Sequence, residues 1–118
     1  MITLSDLRRV ELDNLLRRLG VTRNYVGRMY LMTSVEMVIN DCTLLQNITK
    51  GLYPMIAKMY NTTVNSVERN IRTVGEIIWL KGNYKLLEEV FGYELPNKPS
   101  NGELIDSLAY YIESRTVN

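Results

Sequence analysis

The clearest periodic pattern in the chain is a stripe of apolar residues between positions 64 and 78. Apolar side chains recur there at steps of three and four residues: Val64, Val67, Ile71, Val74 and Ile78. At 100° per residue these positions fall within roughly an 80° arc of a helix, which predicts one face turned towards a core. The opposite face collects polar residues, namely Asn65, Arg69, Arg72 and Glu76, with Glu68 on its flank. The pattern therefore predicts an amphipathic helix with a partly basic outer surface.

The residues before this helix predict a shorter helix and a tight turn. Ile56 and the small Ala57 supply an inner face that a second helix can cross closely. Asn61 falls where the chain must reverse, and asparagine tolerates the positive φ that often ends a helix. Thr63 can then cap the longer helix. The order of short helix, polar turn and longer helix, over about 52–81, predicts a helix-turn-helix.

Apolar repeats predict further helices before this unit. A first helix is expected to begin around Thr3 or Ser5 and to end at Gly20. A second should run from about Asn24, as its cap, to Ile39. We expect its apolar residues to be available for packing: Val26, Met29, Tyr30, Val35 and Val38.

The C-terminal part predicts two more helices. Gly82 should end the long helix, and Asn83 can cap a brief helix that stops at Gly92. Ser100 and Glu103 have the spacing of a capping box ahead of a last apolar repeat. Strand-like alternation, internal repeats and low-complexity linkers are lacking in the sequence. The predicted fold is all-α, a single compact bundle of about six helices that includes the helix-turn-helix.

A polar helix face with two arginines has two interpretations. Such a face is most simply a solvated surface. It is also the mixture that can read base edges and hold phosphates. The turn chemistry and the place of the basic residues in the first helical turns favour DNA.

The charge distribution supports the DNA interpretation locally. The formal net charge is only +1. Residues 46–85 nevertheless carry six basic and two acidic side chains, whereas residues 86–118 carry two basic and six acidic ones. The basic excess therefore falls on the segment with the predicted reading helix.

Composition argues against several classes of protein. With 118 residues and 46% hydrophobic content, the chain suits one domain with a sizeable core. It has no histidine, and its one cysteine, Cys42, excludes an internal disulfide and is expected to be a small buried filler. Catalytic arrangements, phosphate-cradling loops and metal-ligand clusters are missing, so no enzyme activity, cofactor or metal is expected. Neither a leader nor a membrane span is indicated, so a cytoplasmic location is expected.

Specific runs of residues resemble a known family. They are Leu19-Gly20-Val21, Tyr30-Leu31, Met37-Val38 with Asn40-Asp41, Ile48-Thr49-Lys50, Leu52-Tyr53-Pro54, Ile56-Ala57-Lys58, Asn61-Thr62-Thr63, Val67-Glu68-Arg69 with Ile71-Arg72, Trp79, Gly82-Asn83 and Phe91-Gly92-Tyr93. The chain resembles the C-terminal DNA-binding, or effector, domain of the sporulation master response regulator, stage-zero sporulation protein A, of endospore-forming Firmicutes. This resemblance implies a six-helix domain that binds short DNA boxes, often in tandem, and regulates transcription through RNA polymerase.

The resemblance also implies roles for individual residues. Glu68 and Arg69 match the positions that meet bases, and Arg72 matches a neighbouring basic position. The candidate contacts to phosphates or flanking groups are Lys50, Lys58, Asn65, Ser66 and Arg72. The candidate contacts to the sigma subunit of the polymerase are Lys81, Tyr84, Lys85 and Glu88.

The sequence also departs from the family. Leu80, Tyr84 and Lys85 differ from the residues expected on the polymerase-facing segment. Thr73, Val74 and Gly75 differ within the reading helix, so the preferred DNA box could have shifted. No receiver domain accompanies the effector domain, which leaves open a fragment of a response regulator or a free-standing paralogue.

Two functions remain as hypotheses. The first is a sequence-specific regulator of transcription that binds double-stranded DNA through the major groove, with copies meeting in tandem or as a homodimer. The alternative is a protein-interaction module that pairs with the full-length regulator or with RNA polymerase as an antagonist or adaptor. Target genes, activation or repression, and the oligomeric state away from DNA are not decided by the sequence.

Overall fold

The computed structural model describes residues 1–116. Within that range the fold consists of six α-helices and contains no strand. The helices are α1 (Leu4–Arg18), α2 (Val26–Asn40), α3 (Tyr53–Met59), α4 (Val64–Lys81), α5 (Tyr84–Phe91) and α6 (Asn101–Arg115). A 3₁₀ turn at Cys42–Gln46 and a π-helical turn at Ile48–Leu52 connect α2 to α3. The prediction of an all-α bundle of about six helices is confirmed.

Local capping chemistry sets the starts of several helices. The Thr3 hydroxyl accepts a hydrogen bond from the Asp6 main-chain N–H, and the Asp6 carboxylate accepts one from the Thr3 N–H. Ser100 and Glu103 form the same reciprocal box at α6. The Asn83 side chain caps α5 through the Leu86 N–H. These bonds satisfy N–H groups that have no partner inside a helix, so the predicted boundaries hold.

Glycines set the ends of three helices. Gly20, Gly82 and Gly92 follow α1, α4 and α5 with φ of 95°, 79° and 83°. An L side chain rarely adopts this left-handed conformation, which explains why glycine stands at each stop. The predicted stops are therefore confirmed.

Helix α2 lies at the centre of the bundle, where it packs against α1, α3, α4 and α6. Its crossing with α4 depends on Gly27. A Cβ at this position would lie 2.0 Å from the Asn70 carbonyl oxygen and 2.9 Å from Cγ2 of Val74. The two backbones can approach this closely only because residue 27 has no side chain.

The apolar stripe of α4 forms much of the core at this crossing. Val67, Ile71, Val74 and Ile78 are all buried, as predicted, while Val64 is half-buried. Leucines and isoleucines of α1 and α6 complete the same core: Leu12, Leu16, Leu104, Ile105, Leu108 and Ile112. The burial fixes which side of α4 faces outward.

Two predictions about α2 are wrong. Asn24 does not cap α2, because the helix begins at Val26 with Tyr25 as its cap residue and without a side-chain cap. The Asn24 side chain instead bonds to Thr22. Val26 and Met29 are 57% and 55% exposed, since the buried face of α2 runs through neighbouring positions.

Cys42 is also exposed, contrary to the expectation that it fills the core. It lies in the 3₁₀ turn, where no residue is fully buried. The reason is positional: α2 has already ended at Asn40, and the chain crosses the surface before α3 begins.

A half-buried ion pair joins α1 to α2. Arg28 is 7% exposed and pairs with the Asp13 carboxylate and with the Asp13 main-chain oxygen. The Arg28 guanidinium holds the pKa of Asp13 below its ordinary value, with the charges of Arg17 and Arg23 acting in the same direction.

Within residues 1–116 no helix combines the length and the hydrophobicity that a membrane span requires.

Candidate nucleic-acid interface

The turn between α3 and α4 has the chemistry that the sequence predicted. Asn61 adopts φ of 54°. The Thr62 N–H donates to the Ala57 carbonyl at 2.8 Å, and the Asn61 N–H donates to the Lys58 carbonyl at 3.3 Å. These two bonds form a Schellman motif, which reverses the chain in a fixed geometry and satisfies carbonyl groups at the end of α3.

The start of α4 is held by Thr63. Its hydroxyl accepts a hydrogen bond from the Ser66 N–H at 3.0 Å, and its extended backbone marks it as the cap residue. The α3–α4 contact then rests on the buried Ile56, Ala57 and Val67. This short helix, four-residue turn and long helix are consistent with the predicted helix-turn-helix.

Arg69 is a basic residue on the outer face of α4. It is exposed and lies in the second turn of the helix. Within residues 1–116 its guanidinium forms no ion pair and no side-chain hydrogen bond. All of its donors can therefore meet an external acceptor.

Glu68 and Arg72 are joined one helical turn apart. The Arg72 Nη1 donates to the Glu68 Oε1 at 2.9 Å. Such an exposed i, i+4 pair contributes only about 0.3–0.5 kcal/mol, so an external partner can replace it at little cost. The spacing alone could have predicted this pair, and it means that the Glu68 carboxylate is not free in the unbound protein.

The remaining predicted contacts lie on the same structural unit. Asn65 is exposed and Ser66 is half-buried on the first turn of α4, where the Ser66 hydroxyl accepts from the Asn70 amide. Lys58 is exposed in the last turn of α3. Lys50 is exposed in the π-helical turn, which packs against α3. These residues are therefore connected through α3 to α4.

Thr73, Val74 and Gly75 are the α4 residues that differ from the family pattern, and only Thr73 is exposed. Val74 is buried, and a Cβ on Gly75 would point towards Cδ2 of Leu104 on α6 at 3.6 Å. Thr73 is exposed, with its hydroxyl donating to the Arg69 carbonyl.

Asn101, the first residue of α6, connects that helix to α3 and α4. It was not predicted as a functional residue from the sequence. Its Nδ2 donates to the Tyr53 Oη and to the Glu68 main-chain oxygen, both at 3.1 Å. Burial raises the pKa of Tyr53, and the Glu68 charge acts in the same direction. No local pattern predicts these bonds, since Asn101 and Glu68 are 33 positions apart.

The proposed polymerase contacts lie on a separate surface. Lys81, Tyr84 and Lys85 are exposed at the end of α4 and the start of α5. Tyr84 meets Trp79 edge-on, with ring centroids 5.2 Å apart. Glu88 is half-buried and accepts a hydrogen bond from the Leu95 N–H. Its carboxylate is thus partly engaged within the protein.

Among the residues that the structure describes, no group of three or more acidic or cysteine side chains is placed to hold a metal ion. The surface chemistry around α4 is that of exposed guanidinium, amide and hydroxyl groups on a rigid helix. These groups suit phosphate oxygens and base edges.

The family comparison agrees with this geometry. Residues 12–112 match the family model described as sporulation initiation factor Spo0A C terminal. The match covers α2 to α5 completely, the C-terminal half of α1 and most of α6. It thus includes the turn, the reading helix and the elements that support them. The chain belongs to the Spo0A C-terminal domain family, a family of DNA-binding effector domains that regulate transcription in sporulation.

Proposed function

We propose that this protein is a sequence-specific regulator of transcription that binds short boxes in double-stranded DNA through the major groove. Helix α4 enters the groove, Arg69 donates to a guanine, and Glu68 accepts from or orients a neighbouring base. Lys50, Lys58 and Arg72 hold phosphates. DNA binding of this kind acts on the chromosome, in the cytoplasm.

The accessibility of Arg69 carries the proposal. A base-reading arginine must have its donors available and its backbone fixed, because bidentate contact with guanine tolerates little displacement. Arg69 satisfies both conditions, since it is exposed and follows a capped helix start at Thr63. Its neighbour Val67 is fully buried and anchors that turn to the core.

Asn65 and Ser66 are proposed as further contacts near the start of α4. The main-chain N–H groups of Val64 and Asn65, which precede the capped Ser66 N–H, can meet a phosphate together with the exposed Asn65 amide. Arg72 changes partner in this scheme. When α4 meets DNA, the guanidinium moves from Glu68 to a phosphate, which frees the carboxylate for a base.

Fluorescence anisotropy can test this proposal directly. The native chain is titrated onto a duplex with two tandem sporulation-regulator boxes and onto a scrambled duplex, at one salt concentration. We expect box-selective binding that Arg69→Ala weakens by about 5- to 150-fold, the equivalent of about 1–3 kcal/mol. The mutant should also discriminate less at one position of the box.

Arg115→Ala is the matched control. Arg115 is an exposed arginine in the last turn of α6, at the opposite end of that helix from Asn101, and it pairs with Glu89. Its loss should leave DNA affinity nearly unchanged. Equal, weak binding of the native chain to both duplexes would refute sequence-specific reading and favour the protein-interaction alternative.

The surface of α5 is proposed to contact the polymerase sigma subunit. The Trp79 and Tyr84 rings, with Leu87, Leu95 and Pro96, form a shallow apolar cleft beside the basic Lys81 and Lys85. Lys85→Glu should weaken sigma binding in a pull-down assay without changing box affinity. A loss of DNA binding in this variant would contradict the separation of the two surfaces.

A further inference from the structure

A cleft runs along the flank of the reading helix, on the side where α6 begins. Glu68 and Arg72 form its α4 wall, and Thr49 and Tyr53 lie at its base. The opposite wall is the segment Lys98–Gly102. The cleft therefore joins the proposed base-reading surface to a part of the chain that lies outside the helix-turn-helix.

Lys98 is the uncompensated charge in this cleft. It is exposed, and its ammonium group forms no ion pair within residues 1–116. Glu68 is paired with Arg72. The nearby Glu103 carboxylate accepts a hydrogen bond from the Ser100 N–H at 2.9 Å. Glu103 keeps its negative charge but is not among the lining residues, and the three charged residues that line the cleft, Glu68, Arg72 and Lys98, sum to one positive charge.

The segment that carries Lys98 is held in place. Pro99 restricts the backbone of the residue before it to extended conformations, and Ser100 is fixed by the reciprocal capping box. Asn101 then bonds both Tyr53 and the main chain of Glu68. The position of Lys98 relative to α4 is therefore set by a rigid connection and not by a free loop.

The dimensions of DNA indicate what meets this wall. An α-helix with its side chains is about 10–12 Å across, and the major groove is about 12 Å wide. A helix seated in the groove therefore has a sugar–phosphate backbone along each flank. A cationic side chain fixed beside the helix faces phosphates and not base edges.

We propose that Lys98 binds a DNA backbone phosphate on the flank of the reading helix, so that the DNA interface extends from α4 to the start of α6. The inference rests on the proposed major-groove binding by α4. Lys98 adds affinity without sequence preference, because a phosphate contact carries no base information. Asn101 is the positioning residue that keeps the two walls of the cleft together.

Salt-dependent DNA binding by Lys98→Gln tests this contact. Each neutralised phosphate contributes about 0.9 to the slope of log affinity against log salt. We expect the variant to lower the slope by about 0.9, and to lower affinity for boxed and scrambled duplexes by the same factor, about five- to tenfold near 0.1 M salt. Box selectivity should be unchanged.

Two further variants serve as controls. Lys98→Arg keeps the charge and should keep the native slope. Arg115→Gln removes an exposed cation that pairs with Glu89 in the last turn of α6, and should also keep the native slope. Because Lys98 is exposed, its substitution leaves the folded core intact, which circular dichroism can check.

The outcomes separate the two proposals. A native slope in Lys98→Gln, with selectivity still lost in Arg69→Ala, would overturn the Lys98 contact and leave the proposed function standing. A lowered slope on both duplexes without box selectivity in the native chain would support the contact and refute sequence-specific reading. Absence of binding to either duplex would overturn both.

Discussion

The same substitution, glycine to alanine, should have opposite effects at two points of the α2–α4–α6 packing. At Gly27 a Cβ would lie 2.0 Å from the Asn70 carbonyl oxygen. That oxygen belongs to the main chain of α4 and cannot rotate away. The two helices must therefore move apart if α2 gains a methyl group at this position.

The magnitude follows from two opposing effects. Overpacking of a core typically costs about 1–3 kcal/mol, and an immovable contact atom places Gly27→Ala at the upper end. Gly27 is the second residue of α2, so alanine regains at most the helix-interior value of about 1 kcal/mol relative to glycine. We expect a net loss of about 2 kcal/mol in unfolding free energy, together with weaker DNA binding because the centre of α4 is displaced.

Gly75→Ala is the matched comparison. Its Cβ would lie 3.6 Å from Cδ2 of Leu104, an ordinary van der Waals contact. Only the gain in helix propensity then remains, so this variant should be more stable by about 1 kcal/mol. Because the methyl group faces α6, affinity for the DNA boxes should not fall.

Urea denaturation followed by circular dichroism measures both free energies, and anisotropy measures the DNA affinities. Equal stability of Gly27→Ala and the native chain would refute the close α2–α4 crossing. Destabilisation by Gly75→Ala would show that the space beside Leu104 is not available.

Three other predictions concern the supports of the reading helix. Asn61→Ala places at φ of 54° a residue that adopts the left-handed region less readily than asparagine, and should lower the unfolding free energy in urea by up to about 1–2 kcal/mol; an unchanged value would argue against the left-handed turn. Asn101→Ala removes two hydrogen bonds and should cost about 1–2 kcal/mol in the same assay, whereas no loss would show that water replaces them freely. Hydrogen bonds from Ser100 hold the pKa of Glu103 below its ordinary value of 4.5, so its contribution to stability is complete above that pH and is lost as the pH falls through the lowered value. The stability difference between the native chain and Glu103→Gln, measured in urea from pH 7 to pH 3, should therefore shrink on acidification, and a constant difference would contradict this linkage.

Much of the helix pattern was predictable because its causes are local. The left-handed Asn61, the cap at Thr63 and the box at Ser100 each depend on bonds between residues within a few positions. The apolar stripe of α4 is likewise a property of a short segment, since a helix brings every third or fourth residue to one face.

The wrong predictions concern segments where the apolar pattern does not identify a single buried face. In α2 apolar residues occur on more than one face, so the sequence did not show that Met29 would be exposed while Leu31 would be buried. Cys42 was misplaced because its short turn packs against the surface of other elements and has no periodicity of its own.

The helices, their caps and the basic outer face of α4 were predictable because they follow from local bonding and helical spacing. Three relations are visible only in the packed fold: Gly27 lets α2 cross α4, Asn101 of α6 bonds the main chain of Glu68, and Lys98 lies in the same cleft as Glu68 and Arg72. These relations join residues more than 25 positions apart. They arise when helices pack, and no pattern within one helix encodes which neighbour it will meet.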